Sequence, residues 1–81
     1  MNERVALISV IVESYDSIEK FNAILHQYNE YIIGRMGVPY RKKNISVISV
    51  AVDAPQDIIN AISGKLGRLE GISVKTLLSK L

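Results

Sequence analysis

The chain opens with a run of β-branched and apolar residues, Val5-Ala6-Leu7-Ile8-Ser9-Val10-Ile11-Val12, closed by the polar stretch Glu13-Ser14-Tyr15-Asp16. Its length and composition predict a strand. Positions 6, 8, 10 and 12 are apolar on one face, and 5, 7 and 11 are apolar on the other, with Ser9 as the interruption. Side chains alternate across a strand, so this one needs cover on both faces. From Asp16 the period changes. Ile18, Phe21, Leu25 and Tyr28 recur at three- and four-residue spacing, with Glu19, Lys20, Asn22, Gln27 and Asn29 on the other side, which predicts an amphipathic helix. Asp16 and Glu19 stand at the spacing of a capping box. Tyr31-Ile32-Ile33 returns to β-type residues and Gly34, Gly37 and Pro39 prevent a continuing helix, so a second strand is expected around residues 30 to 36.

Residues 37–44 combine chain breakers with basic side chains and lead into Ile45-Ser46-Val47-Ile48-Ser49-Val50-Ala51-Val52, which reads as the far arm of a hairpin. This strand too is apolar on both faces. Ala54-Pro55 opens a second helix with proline expected at its first position. Ile58, Ile59, Ile62 and Leu66 form its apolar stripe, and Lys65, Gly67 and Arg68 its end. Gly71 marks the entry to a last strand, Ile72-Ser73-Val74-Lys75-Thr76-Leu77-Leu78.

The order strand, helix, strand, strand, helix, strand is the α+β, ferredoxin-like βαββαβ pattern. Right-handed crossovers place both helices on one face of a four-stranded antiparallel sheet ordered 4-1-3-2. The central strands are then the first and third, the two that are apolar on both faces. Helices cover only one of those faces. The other carries Val5, Leu7 and Ile11 beside Ile45 and Val47, and a second copy of the chain, in a homodimer or homotetramer, is the simplest cover for it.

Composition strengthens that expectation. In 81 residues there are no cysteines and one histidine, so neither disulfides nor a Cys/His zinc site can staple so small a core. The length suits one domain over residues 1–81, and self-association is the support that remains. An apolar fraction of 48% with 22% charged residues excludes a disordered chain, and no apolar run is long enough to span a membrane. Met1-Asn2-Glu3-Arg4 leads directly into a strand without the pattern of a signal peptide, which makes the cytoplasm the expected compartment. The net charge of +2 points to no particular partner.

Candidate chemistry is sparse. His26 stands alone and reads as a structural or exposed histidine; no metal site and no cofactor is expected. Glu13, Asp16, Asp53 and Asp57 lie near strand ends and helix starts, where capping accounts for them. No Ser/His/Asp or Cys/His set can be assembled, so no catalytic residue is assigned and the chain reads as a non-enzyme. Ser63-Gly64-Lys65-Leu66-Gly67 lacks the strand-to-helix position of a phosphate loop, and Gly64 beside Ala61 suggests close helix packing instead. Arg41-Lys42-Lys43 reads as a solvated hairpin tip, and nucleic-acid binding through it is not favoured. The most unusual segment is Gly34-Arg35-Met36-Gly37-Val38-Pro39-Tyr40. Its candidates for a ligand or interface site are Arg35, Met36, Gly37 and Tyr40, with Arg35 as an anchor for an anion and Tyr40 as a stacking surface or hydroxyl.

Tyr31-Ile32-Ile33-Gly34-Arg35-Met36-Gly37-Val38-Pro39-Tyr40, Val52-Asp53-Ala54-Pro55, Ser63-Gly64-Lys65-Leu66-Gly67 and Gly71-Ile72-Ser73-Val74-Lys75 together resemble the small iron-only hydrogenase system regulators, over nearly the whole chain. The resemblance implies a ferredoxin-like fold akin to ACT domains and to the C-terminal sensing domain of the nickel-responsive repressor, both of which form dimers or tetramers. It does not extend to the repressor's metal ligands, since the corresponding stretch holds Asn29, Gly37, Pro39 and Ile45, nor to its DNA-binding arm. Nor does it extend to the glycine-containing first turn of amino-acid-binding ACT domains, which here is Glu13-Ser14-Tyr15-Asp16. The expected function is a non-enzymatic regulatory module, a homo-oligomer that binds a small effector or a protein partner at a subunit interface. The alternative is an interaction or assembly factor with no small ligand.

Overall fold

The structure, a computed structural model, describes residues 3–80. Met1 and Asn2, part of the start read above for targeting, and Leu81 lie outside the described residues. Six principal elements follow one another: β1 (Glu3–Val12), α1 (Ile18–Gln27), β2 (Ile32–Tyr40), β3 (Ile45–Pro55), α2 (Gln56–Gly67) and β4 (Ile72–Leu78). The four strands form one antiparallel sheet in the order β2-β3-β1-β4, which is the expected ferredoxin-like order read from its other edge.

Register decides which side chains meet. In β1 against β3, Ala6 faces Val52, Ile8 faces Val50 and Val10 faces Ile48, and all six are buried. Phe21 and Leu25 from α1, and Ile59, Ile62 and Leu66 from α2, pack on them in a single core, so both helices lie on this face. Each fully buried Ile, Leu or Phe contributes about 1.5–3 kcal/mol relative to exposure, and this one layer holds most of them. Among the described residues no helix is long and apolar enough to cross a membrane.

Local details depart from the sequence reading where tertiary contacts compete. The Asp16/Glu19 capping box does not form. Tyr15–Ser17 makes a short 3-10 turn, α1 starts at Ile18, and the N-cap residue Ser17 makes no side-chain cap bond. Ser17 is buried, and its Oγ donates to the Glu70 carbonyl at 2.6 Å, so the hydroxyl joins two loops rather than capping the helix. A second 3-10 turn, Asn29–Tyr31, delays β2 to Ile32, and β2 then runs through Gly37 and Pro39 to Tyr40. Proline is tolerated there because β2 is an edge strand, where a missing N–H need not break the ladder. Pro55 closes β3 as the N-cap of α2, with φ −60° and ψ 153°, one position before its expected place. Gly64 is not a close-packing site, since a Cβ there would meet only the Arg68 guanidinium at an ordinary 3.7 Å.

Candidate functional sites on opposite faces of the sheet

The face of the sheet away from the helices has no cover from the described residues. Paired residues in an antiparallel ladder share a face, so the register assigns its rows. One row runs Leu77, Leu7, Ala51, Gly34, and the next Lys75, Ser9, Ser49, Met36. A third runs Ser73, Ile11, Val47, Val38, with Tyr40 beside Ile45 beyond it and Val5 beside Asp53 at the opposite end. Of the large apolar side chains left exposed, all but Tyr15 and Ile33 lie on this face. Leu77 and Met36, at opposite edges, are each 69% exposed. Two shallow hollows mark the surface. One, of about 360 Å³, is lined by Ile11, Val47, Ser9, Ser49, Ser73 and Lys75 among others; the second, of about 230 Å³, lies between Leu7, Ala51 and Met36.

The expected interface residues Val5, Leu7, Ile11, Ile45 and Val47 therefore share one surface. Met36 and Tyr40 belong to it as well. The alternation of β2 sends Arg35 and Gly37 to the helix side, where they pair with Val50 and Ile48. The four residues grouped by sequence as one ligand site thus divide between two faces. Val38, Ala51 and Leu77, which complete the apolar rows, become apparent only once β2 and β4 are in register.

On the helix side, Arg35 lies across α1. Its Nη2 donates to Asn22 Oδ1 at 3.1 Å, and its guanidinium carbon stands 5.7 Å from the Phe21 ring centre, within cation–π range. Asn22, His26 and Asn29 follow one another along α1 and its end, and with Leu25, Ile32, Gly34 and Arg35 they line an open hollow of about 380 Å³ in which Asn22, His26, Asn29 and Arg35 are exposed. Sequence reading passed over this group because His26 has no histidine or cysteine partner. The available signal was the spacing of Asn22, His26 and Asn29 on one polar stripe.

The remaining candidates fall elsewhere. Arg41, Lys42 and Lys43 form the exposed β2–β3 turn, closed by Lys43 N–H to the Tyr40 carbonyl at 3.3 Å and Asn44 N–H to the Arg41 carbonyl at 3.1 Å. Ser63, Gly64 and Gly67 lie in the C-terminal half of α2, away from the helix start that a phosphate loop requires, and Ser63 Oγ meets Thr76 Oγ1 at 2.6 Å. No group of three or more His, Cys, Asp or Glu that could hold a metal ion occurs among the described residues.

Comparison with known proteins adds to this geometry. The structure is similar to that of the uncharacterized protein TM1266 from Thermotoga maritima, with a TM-score of 0.93 and 32% identity over 98% of this chain and 100% of that one. It also matches 28% of a formyltetrahydrofolate deformylase from Pseudomonas putida KT2440, at TM-score 0.65 and 11% identity over 90% of this chain, which is a likeness of fold alone. No curated protein matches the sequence significantly. A family model described as "TM1266-like: Iron-only hydrogenase system regulator, putative" matches residues 4–76. With that match spanning all six elements, the chain belongs to the TM1266-like family of iron-only hydrogenase system regulators.

Proposed function

We propose that the protein is a non-catalytic regulatory module of an iron-only hydrogenase system, cytoplasmic and homo-oligomeric, which pairs with its own copies through the open sheet face and responds to a small effector. Family membership supports the regulatory part of this reading. The observation that carries the oligomer is the continuity of the apolar rows from Leu77 across Leu7 to Ala51, and from Ile11 across Val47 to Val38.

Strand spacing and rise give a four-stranded face of this length a flat area of about 500 Å². Two copies face to face would bury about 1,000 Å², the lower bound for a specific interface. A face of this size matches the largest patch that a typical monomer exposes, and such a patch often marks an interaction site. Its charged side chains, Glu3 at the start of β1, Asp53 near the end of β3 and Lys75 on β4, sit at the periphery, while Ser9 and Ser49 separate the two apolar rows at its centre.

Light scattering coupled to size exclusion tests the reading. The wild-type chain should run as a dimer or tetramer, and Leu7→Glu or Ile11→Glu as a monomer or as insoluble protein, because an unpaired buried carboxylate is prohibitive. Leu77→Lys, at a position already 69% exposed, provides a soluble variant with weakened association. A wild-type monomer, or a soluble Leu7→Glu oligomer of native size, would overturn the interface.

A further inference from the structure

We infer that the open hollow between α1 and the start of β2 binds a small amphipathic carboxylate, with Arg35 as the anchoring cation. The inference rests on the effector clause of the function proposed above and names the effector's chemical class.

Charge is the first argument. The lining residues are Asn22, Leu25, His26, Asn29, Ile32, Gly34 and Arg35, which include one permanent cation and no carboxylate. Arg35 is held by neutral groups, the Asn22 amide oxygen and the Phe21 ring, and it has no ion-pair partner among the described residues. A guanidinium carries five N–H donors in a planar fork, and the bond to Asn22 uses one of them. The fork is therefore positioned and its charge is not neutralised, which is the preorganisation that favours binding of an anion.

The neighbouring groups continue the pattern. Asn22 gives its oxygen to Arg35, which leaves its side-chain –NH2 as a donor beside the guanidinium. His26 and Asn29 add further donors along the same wall, and Leu25 and Ile32 supply an apolar one. A volume of about 380 Å³ falls within the range of small-molecule sites. α1 ends here, at Gln27, so the helix dipole favours the Arg35 cation and contributes no attraction to an anion. Arg35 must supply that attraction.

The apolar wall separates carboxylate from phosphate. An inorganic phosphate gains nothing from Leu25 and Ile32, and its second charge calls for a second cation or a helix N-terminus, neither of which lines the hollow. A carboxylate with a short hydrocarbon body matches the fork with its two oxygens and the apolar wall with its chain. The site also lies on the helix side of the sheet, so it stays available when a second copy covers the open face.

The experiment is an NMR titration of the full chain at constant ionic strength with butyrate, with its neutral isostere butyramide, and with inorganic phosphate. Butyrate should give saturable shifts in the side-chain amides of Asn22 and Asn29 and in Arg35 Nε, and butyramide should give none. Arg35→Met retains an unbranched stem over Phe21 and should weaken butyrate by about tenfold or more, with Arg35→Lys intermediate. Absence of a saturable shift at tens of millimolar butyrate, an equal response to butyramide, tighter binding of phosphate, or undiminished binding in a folded Arg35→Met variant would each overturn the assignment. Leu77→Lys separates this claim from the interface: butyrate shifts retained in that variant support the site whatever its oligomeric state, and shifts lost with the oligomer overturn its independence of the sheet face.

Discussion

Gly71 stands against Ser14 so closely that a Cβ on Gly71 would lie 2.6 Å from Ser14 Cβ and 3.0 Å from its backbone nitrogen. Gly71 also has φ 72°, in the left-handed region, and its carbonyl accepts the Glu13 N–H at 2.7 Å. One glycine thus lets the loop entering β4 close over the loop leaving β1.

Gly71→Ala should be destabilising through two separate effects. The left-handed backbone costs a residue with a Cβ about 1–2 kcal/mol, and the contact with Ser14 adds to it, for a total of about 2–4 kcal/mol. Ser14→Gly removes the side-chain half of the collision and leaves the backbone strain, so the double variant should recover part of the loss. Urea denaturation of the four proteins in the cycle measures this; additive effects would show that the Gly71–Ser14 contact is not the cause.

Ser17→Ala removes the second tie between the same loops. The hydroxyl is buried and donates to the Glu70 carbonyl at 2.6 Å, so its loss should cost about 1 kcal/mol. Glu70 is exposed and water can replace part of the bond, which keeps the figure near that of a typical hydrogen bond. An unchanged denaturation midpoint would mean that the bond contributes nothing net.

Asn44, at φ 57°, closes the β2–β3 turn in the left-handed conformation that asparagine tolerates. Asn44→Ala should cost about 1 kcal/mol and Asn44→Gly almost nothing. Equal losses in the two variants would point to the asparagine side chain instead of the backbone angle. Either variant leaves Arg41, Lys42 and Lys43 in place, so retention on DNA at low salt can be compared directly between turns of different stability.

The fold was legible because Val and Ile alternate in β1 and β3 without leaving a polar face. Ala6, Ile8 and Val10 lead to the helices, and Leu7 and Ile11 to the open side. Helix starts were less legible, because Asp16 and Glu19 had the correct spacing while the deciding group was Glu70, more than fifty residues from Ser17. The candidate site was half legible. Arg35 and Met36 are adjacent in sequence, yet period-two alternation sends them to opposite faces, so a reading of the segment as one unit merges two surfaces. The group around Arg35 and His26 needed β2 to be brought back beside α1, by the 3-10 turn at Asn29–Tyr31 and by its pairing with β3.

Leu7 and Ile8 are neighbours in sequence on opposite sides of the sheet, and they separate folding from association. Ile8 is fully buried against the helices, so Ile8→Ala should lose about 2–5 kcal/mol at any protein concentration. Leu7 is 40% exposed in the single chain, where truncation leaves no closed cavity, and Leu7→Ala should cost an isolated protomer less than about 1 kcal/mol. Its larger effect falls on the oligomer. Association stabilises by mass action, so the wild-type melting temperature should rise with protein concentration, and Leu7→Ala should flatten that rise while Ile8→Ala lowers the whole curve. Melting temperatures independent of concentration in the wild type, or equal slopes in all three proteins, would remove Leu7 from the interface and leave the open face to a different partner.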